Sequence, residues 1–158
     1  MTLSVRRYVV VVVLLLAATV CVLARGNASA RDNKVEHTCG LNDREFLSNY
    51  QVQIESVGMY GDDYLSGKAK ATDVISVSRQ AAKVVKGWTP YDPSLKIVHR
   101  YAPAMFDDYA DAVKAREQGE DAGRAMYLAY QIGARIQDTL REAEPDLAAA
   151  GCDVSDLL

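Results

Sequence analysis

Two cysteines set at opposite ends of a small exported domain constrain this chain more than any other feature. They stand out once the first thirty residues are set aside. Arg6 and Arg7 precede an apolar run from Tyr8 to Ala24, and Ala28, Ser29 and Ala30 supply small residues for cleavage. This is the three-part layout of a secretory signal peptide over residues 1–30. Cleavage after Ala30 discards Cys21 and leaves one pair, Cys39 and Cys152. Val22-Leu23-Ala24 is a second cleavage candidate. The seventeen-residue run (8 to 24) is near the length of a short membrane span, so the alternative is an uncleaved anchor with the domain outside. Cys21 follows Val20 rather than a small Gly or Ala, which argues against lipid attachment.

Two cysteines in an exported domain predict a disulfide, because that compartment is oxidising. No second cysteine lies two or three positions from either one, so zinc-type spacing is absent. The expected location is secreted or periplasmic, at the cell envelope or beyond. No membrane contact is expected other than the N-terminal anchor alternative.

The leader takes Arg6, Arg7 and Arg25 with it. Of 18 Lys plus Arg and 21 Asp plus Glu, 15 and 21 then remain, a net charge of 15 − 21 = −6. An acidic domain with no run of Lys or Arg has no electrostatic footprint for nucleic acid. Residues 31–38 are polar and aperiodic and read as a lead-in. Residues 39–158 read as one domain, close to the commonest domain size.

Helical periodicity dominates that domain. Asn42 or Asp43 can cap a first helix carrying Phe46, Tyr50, Ile54 and Val57, which Gly58, Gly61, Asp62 and Asp63 are expected to end. A second helix is predicted over 63–86, with Val74, Ser78, Ala81 and Val85 on one stripe. Residues 87–103 read as an irregular middle containing a short helix from Ser94 to Tyr101, opened by Asp92 and Pro93. Pro103 is expected to kink that helix or to open another running to about Arg116. A last helix carries Ala125, Ala129, Ile132, Ile136 and Leu140 and ends near Pro145, followed by a single turn to Ala150. The predicted fold is all-α: an up-down-up-down four-helix bundle with a short fifth helical turn. An even number of helices brings the chain ends together, so Cys39 and Cys152 can close it.

The chemistry-bearing residues are sparse. No Gly-x-Ser follows the leader, so a nucleophile elbow is absent. The two histidines, His37 and His99, are preceded at three residues by Lys34 and Lys96, so the Glu-x-x-His pairs of a di-metal bundle are missing. The acids Asp62, Asp63, Asp107, Asp108 and Asp111 lack calcium-loop spacing and read as caps and solvated faces. No metal and no cofactor is expected. The best candidate binding region is the aromatic and basic stretch around the middle connection: Trp88, Tyr91, His99, Arg100, Tyr101 and Met105. Tyr and Trp away from helix stripes are enriched at binding hot spots. The function expected is a non-catalytic binding or structural protein, with an unknown protein or a small apolar ligand as partner. One alternative is a carrier of haem or another apolar ligand in a cleft near residues 88–105. A second is an enzyme using His99 as base with an acid from Asp107, Asp108 or Asp111.

Overall fold

The computed structural model describes residues 38–158; the expected signal segment and nearly all of the lead-in lie outside the described residues. Four α-helices follow one another: α1 (Leu41–Leu65), α2 (Ala71–Gly87), α3 (Pro93–Glu117) and α4 (Gly123–Ala149). A 3-10 turn at Ser155–Leu157 supplies the short fifth element, and there is no strand among the described residues. The all-α four-helix bundle is therefore the fold, and Cys39 and Cys152 form its disulfide, with Cα atoms 5.4 Å apart. The Cys39 N–H also donates to the Ala150 carbonyl at 2.8 Å, so backbone and disulfide tie the same two chain ends.

Local chemistry explains the helix starts. Asp92 is the N-cap of α3: its Oδ1 accepts from the N–H groups of Ser94 and Leu95 at 2.7 and 3.1 Å, and Pro93 stands where no amide partner is needed. On α1 the cap is Gly40 rather than Asn42 or Asp43. Asp43 instead occupies the third helical position and reaches back to the Gly40 N–H at 3.2 Å. Three helix ends use a left-handed glycine, Gly67 after α1, Gly119 after α3 and Gly151 after α4, at φ 76°, 70° and 86°. The Gly151 turn lets the Cys152 N–H return to the Leu147 carbonyl, which aims Cys152 at Cys39.

Three expected breaks are absent. Gly58 and Gly61 lie inside α1, which continues to Leu65; the second helix accordingly begins at Ala71, not near Asp63. Gly61 is retained by packing, since a Cβ there would lie 2.6 Å from the Tyr109 hydroxyl. Pro103 neither ends nor restarts a helix, because α3 runs through it. Proline removes one amide donor, the partner of the His99 carbonyl four residues back. The turns on both sides are held by buried Val98, Ala102, Phe106 and Ala110, and that packing keeps the helix continuous. α4 also runs through Pro145, which is exposed, so the turn expected over 145–150 is the last stretch of that helix.

The main core is built from Phe46, Leu47 and Tyr50 of α1, Ala81, Ala82 and Val85 of α2, Leu95, Val98 and Phe106 of α3, and Ile136, Leu140 and Leu147 of α4. It is continuous with Cys39, Cys152 and Val154. A smaller apolar cluster, Ala71, Val74 and Val113 with Tyr60, Tyr64 and Tyr109 against it, closes the opposite end. Close backbone approach is sustained between successive helices, α1 with α2, α2 with α3 and α3 with α4. Helices α1 and α4, which would be neighbours in a square bundle, have no such sustained approach.

Candidate functional site

A groove of about 660 Å³ occupies the space where α1 and α4 fail to close. One wall is α1 from Tyr50 through Ile54, Val57 and Gly58 to Leu65. The other is α4 from Met126 through Ala129 and Gly133 to Gln137. Met105, Phe106 and Tyr109 of α3 form the floor, and Asp156, Leu157 and Leu158 close one end. The size falls within the range of ligand sites, and the lining is mainly apolar.

Small side chains make the hollow. Gly58 leaves open space, with no atom within 4 Å of where its Cβ would stand. Gly133 places the α4 backbone against the Met105 sulfur. The rim is unusually apolar for a surface: Leu65, Met126 and Tyr130 line the groove while remaining 66%, 43% and 70% exposed. Tyr127 and Leu128 extend the exposed apolar surface of α4.

The polar groups of the groove are phenols, carboxylates and the amides of Gln51 and Gln137, and the Gln51 Nε2 donates to Glu55 Oε1 at 3.0 Å. The Tyr50 ring stacks on Phe46 and meets Phe106 edge-on, at centroid distances of 5.9 and 6.4 Å. Burial pushes its hydroxyl far above the usual tyrosine range. The Tyr109 hydroxyl is pushed up as well, first by burial and then by the nearby Asp62 carboxylate. Glu55, Asp62 and Asp156 are the charged residues of the lining, and no Lys, Arg or His is among them.

The six residues singled out by sequence are distributed over several faces. Trp88 and Tyr91 sit in the α2–α3 connection and are exposed, 37% and 61%. The connection itself is pinned from beneath: the Tyr91 and Asp92 N–H groups donate to Oδ1 of the fully buried Asp43, at 2.6 and 2.9 Å. His99 and Arg100 share a polar hollow with Lys86, Lys96 and Asp107. The His99 ring lies edge-on to Phe46 at 5.9 Å, with Nε2 3.5 Å from the Lys86 carbonyl. Tyr101 turns toward α4, where the Arg135 guanidinium stacks 4.8 Å from its ring centre. Met105 alone reaches the groove. A helix advances about 100° per residue, so His99 lies about 200° round α3 from Tyr101, whereas Tyr101 and Met105, four residues apart, share the face toward α4.

The acids near His99 are engaged elsewhere. Arg79 of α2 donates to Oδ1 of Asp107 and of Asp111, at 2.8 and 2.6 Å, fastening α2 to α3. The hydrogen bond to Asp107, ahead of the charges of both acids, raises the guanidinium's affinity for its proton. Asp108 has a raised pKa, through partial burial and then the neighbouring Asp111 and Asp107 charges. Asp108 and Asp111 line a different hollow, with Glu120, Asp121 and Arg124. Among the described residues no group of three or more His, Cys, Asp or Glu side chains is placed to hold a metal ion, and no helix is long and apolar enough to cross a membrane.

Sequence reasoning missed most of the groove. Its traces were present as small residues, Gly58 on α1 and Ala129 and Gly133 on α4, beside Met126 and Tyr130 one turn apart. The chain matches no family model, and no curated protein or solved structure is significantly similar to it.

Proposed function

We propose that this protein is a non-catalytic binding protein of the secreted or periplasmic space, and that the α1/α3/α4 groove is its binding site for an apolar partner. The observation that carries this reading is the groove itself: about 660 Å³ of mainly apolar lining, between two helices that a closed bundle would bring together. Filling such a space removes apolar surface from water at roughly 25 cal/mol per Å², and the exposed rim adds to that area. The disulfide fits an oxidising compartment, as does the leader read in residues 1–30.

The carrier reading keeps its chemistry and changes its place. The apolar space lies along α1 and α4, and Met105 is the member of the 88–105 stretch that lines it. Titration of the purified domain with 1-N-phenylnaphthylamine tests the proposal. Saturable fluorescence enhancement near one dye per chain is the expected result. A linear, unsaturable response, as from scattered surface adsorption, overturns it.

A further inference from the structure

We infer that the occupant of the groove is an amphipathic helix of another protein, with Lys or Arg residues flanking its apolar stripe. This rests on the groove being the binding site and names the class of partner. Shape is the first argument. The α1 wall from Tyr50 to Leu65 spans 15 residue steps, roughly 22 Å at 1.5 Å per residue. That matches a helical segment of about fourteen residues, or four turns. The groove is bounded by two helices, floored by a third, and lacks sustained approach across its mouth. A guest helix placed there packs as an additional member of the bundle, with its apolar stripe at i, i+3, i+4 and i+7 facing Met105, Phe106 and Ile136.

The rim is the second argument. Leu65 on one side and Met126 and Tyr130 on the other are exposed where a guest broader than a lipid chain would cover them. Charge is the third. Glu55 and Asp62 on α1 and Asp156 in the C-terminal turn stand among the lining residues with no cation beside them in that lining. The cations Lys86, Lys96 and Arg100 line a separate hollow. A guest with basic flanks is steered and oriented by this arrangement. An anionic lipid surface is repelled by it, and so is a second copy of the domain, whose described residues carry a net charge of 13 − 19 = −6.

The test uses two labelled amphipathic peptides of about fourteen residues, one of Leu and Lys and one of Leu and Glu in the same pattern, followed by fluorescence anisotropy. The Leu/Lys peptide is expected to bind one per chain and the Leu/Glu peptide at least about tenfold more weakly. A Cβ at the exposed Gly58 meets no atom within 4 Å, so Gly58→Leu adds bulk at the groove wall while removing a helix-interior glycine, and the fold is expected to be kept or strengthened. This variant is expected to abolish peptide binding while thermal unfolding stays the same or moves upward. Glu55→Gln with Asp62→Asn is expected to weaken the Leu/Lys peptide by about tenfold and to narrow its advantage over the Leu/Glu peptide. Equal affinity for the two peptides, or Leu/Lys binding that survives Gly58→Leu, overturns the inference. Dye binding that is lost in Gly58→Leu while neither peptide binds overturns the helix alone. Failure of the dye in the unsubstituted protein overturns the groove.

Discussion

At the scale of single residues, Asp43 does the most to define the end of the bundle that holds the disulfide. It is a fully buried carboxylate, and its two oxygens accept from the backbone N–H groups of Gly40, Tyr91 and Asp92. One side chain thus caps α1 and anchors the α2–α3 connection, which has no secondary structure of its own. Asp43→Ala leaves these donors without their acceptor and is expected to cost about 2–4 kcal/mol. Asp43→Asn keeps one acceptor oxygen and should cost less; urea unfolding of the two variants measures both. Tyr50 carries a pH dependence of definite sign. Burial holds its proton in the folded state, whereas an unfolded tyrosine releases it near pH 10, by its ordinary value of about 10. The native state then binds more protons than the unfolded one, so stability falls as pH rises above about 10 and is unaffected below it. Tyr50→Phe has no such proton to lose. Its denaturation midpoint is expected to decline less steeply between about pH 9 and 11, and identical slopes for the two proteins would refute this assignment.

At the scale of elements, periodicity was legible and its interruptions were not. The stripes Phe46–Tyr50–Ile54–Val57 and Ala129–Ile132–Ile136–Leu140 predict helices that are present. Glycine and proline mark breaks only in the absence of packing on both sides. Gly61 lies in the last turns of α1 because the Tyr109 hydroxyl needs the space of its missing Cβ, a contact between residues 48 positions apart that no local pattern encodes. Pro103 is carried by the buried residues around it. Pro145 differs, being exposed near the end of α4, where it removes the amide partner of the Arg141 carbonyl with no packing in return. Pro145→Ala restores that donor. Proline costs about 3 kcal/mol against alanine within a helix, and its restriction of the unfolded chain returns up to about 1 kcal/mol. A net stabilisation of about 1–2 kcal/mol is therefore expected, read as a raised denaturant midpoint. The groove was hidden for a related reason. A periodic stripe identifies which face of a helix is apolar, but not whether the facing helix approaches closely enough to cover it.

At the scale of the whole molecule, the successive interfaces α1/α2, α2/α3 and α3/α4 leave α1 and α4 joined mainly through their ends. The Cys39–Cys152 disulfide and the Cys39 N–H to Ala150 bond supply that join. The same end carries the turn at Ser155–Leu157, so the disulfide fixes both the spacing of the groove walls and the closed end of the groove. Cutting it has two separable effects. Opening a loop with a sequence separation of 113 costs up to about 4–5 kcal/mol in the chain-entropy account. The three successive interfaces do not depend on the disulfide, so helical content should survive while the walls lose their fixed spacing. Cys39→Ser with Cys152→Ser is therefore expected to keep a helical circular dichroism spectrum, to unfold at lower urea, and to bind 1-N-phenylnaphthylamine more weakly per folded chain. If dye affinity is unchanged in the folded variant, α3 alone sets the groove and the disulfide serves stability. If it falls with helicity intact, the covalent tie between the chain ends is what holds the binding site in shape.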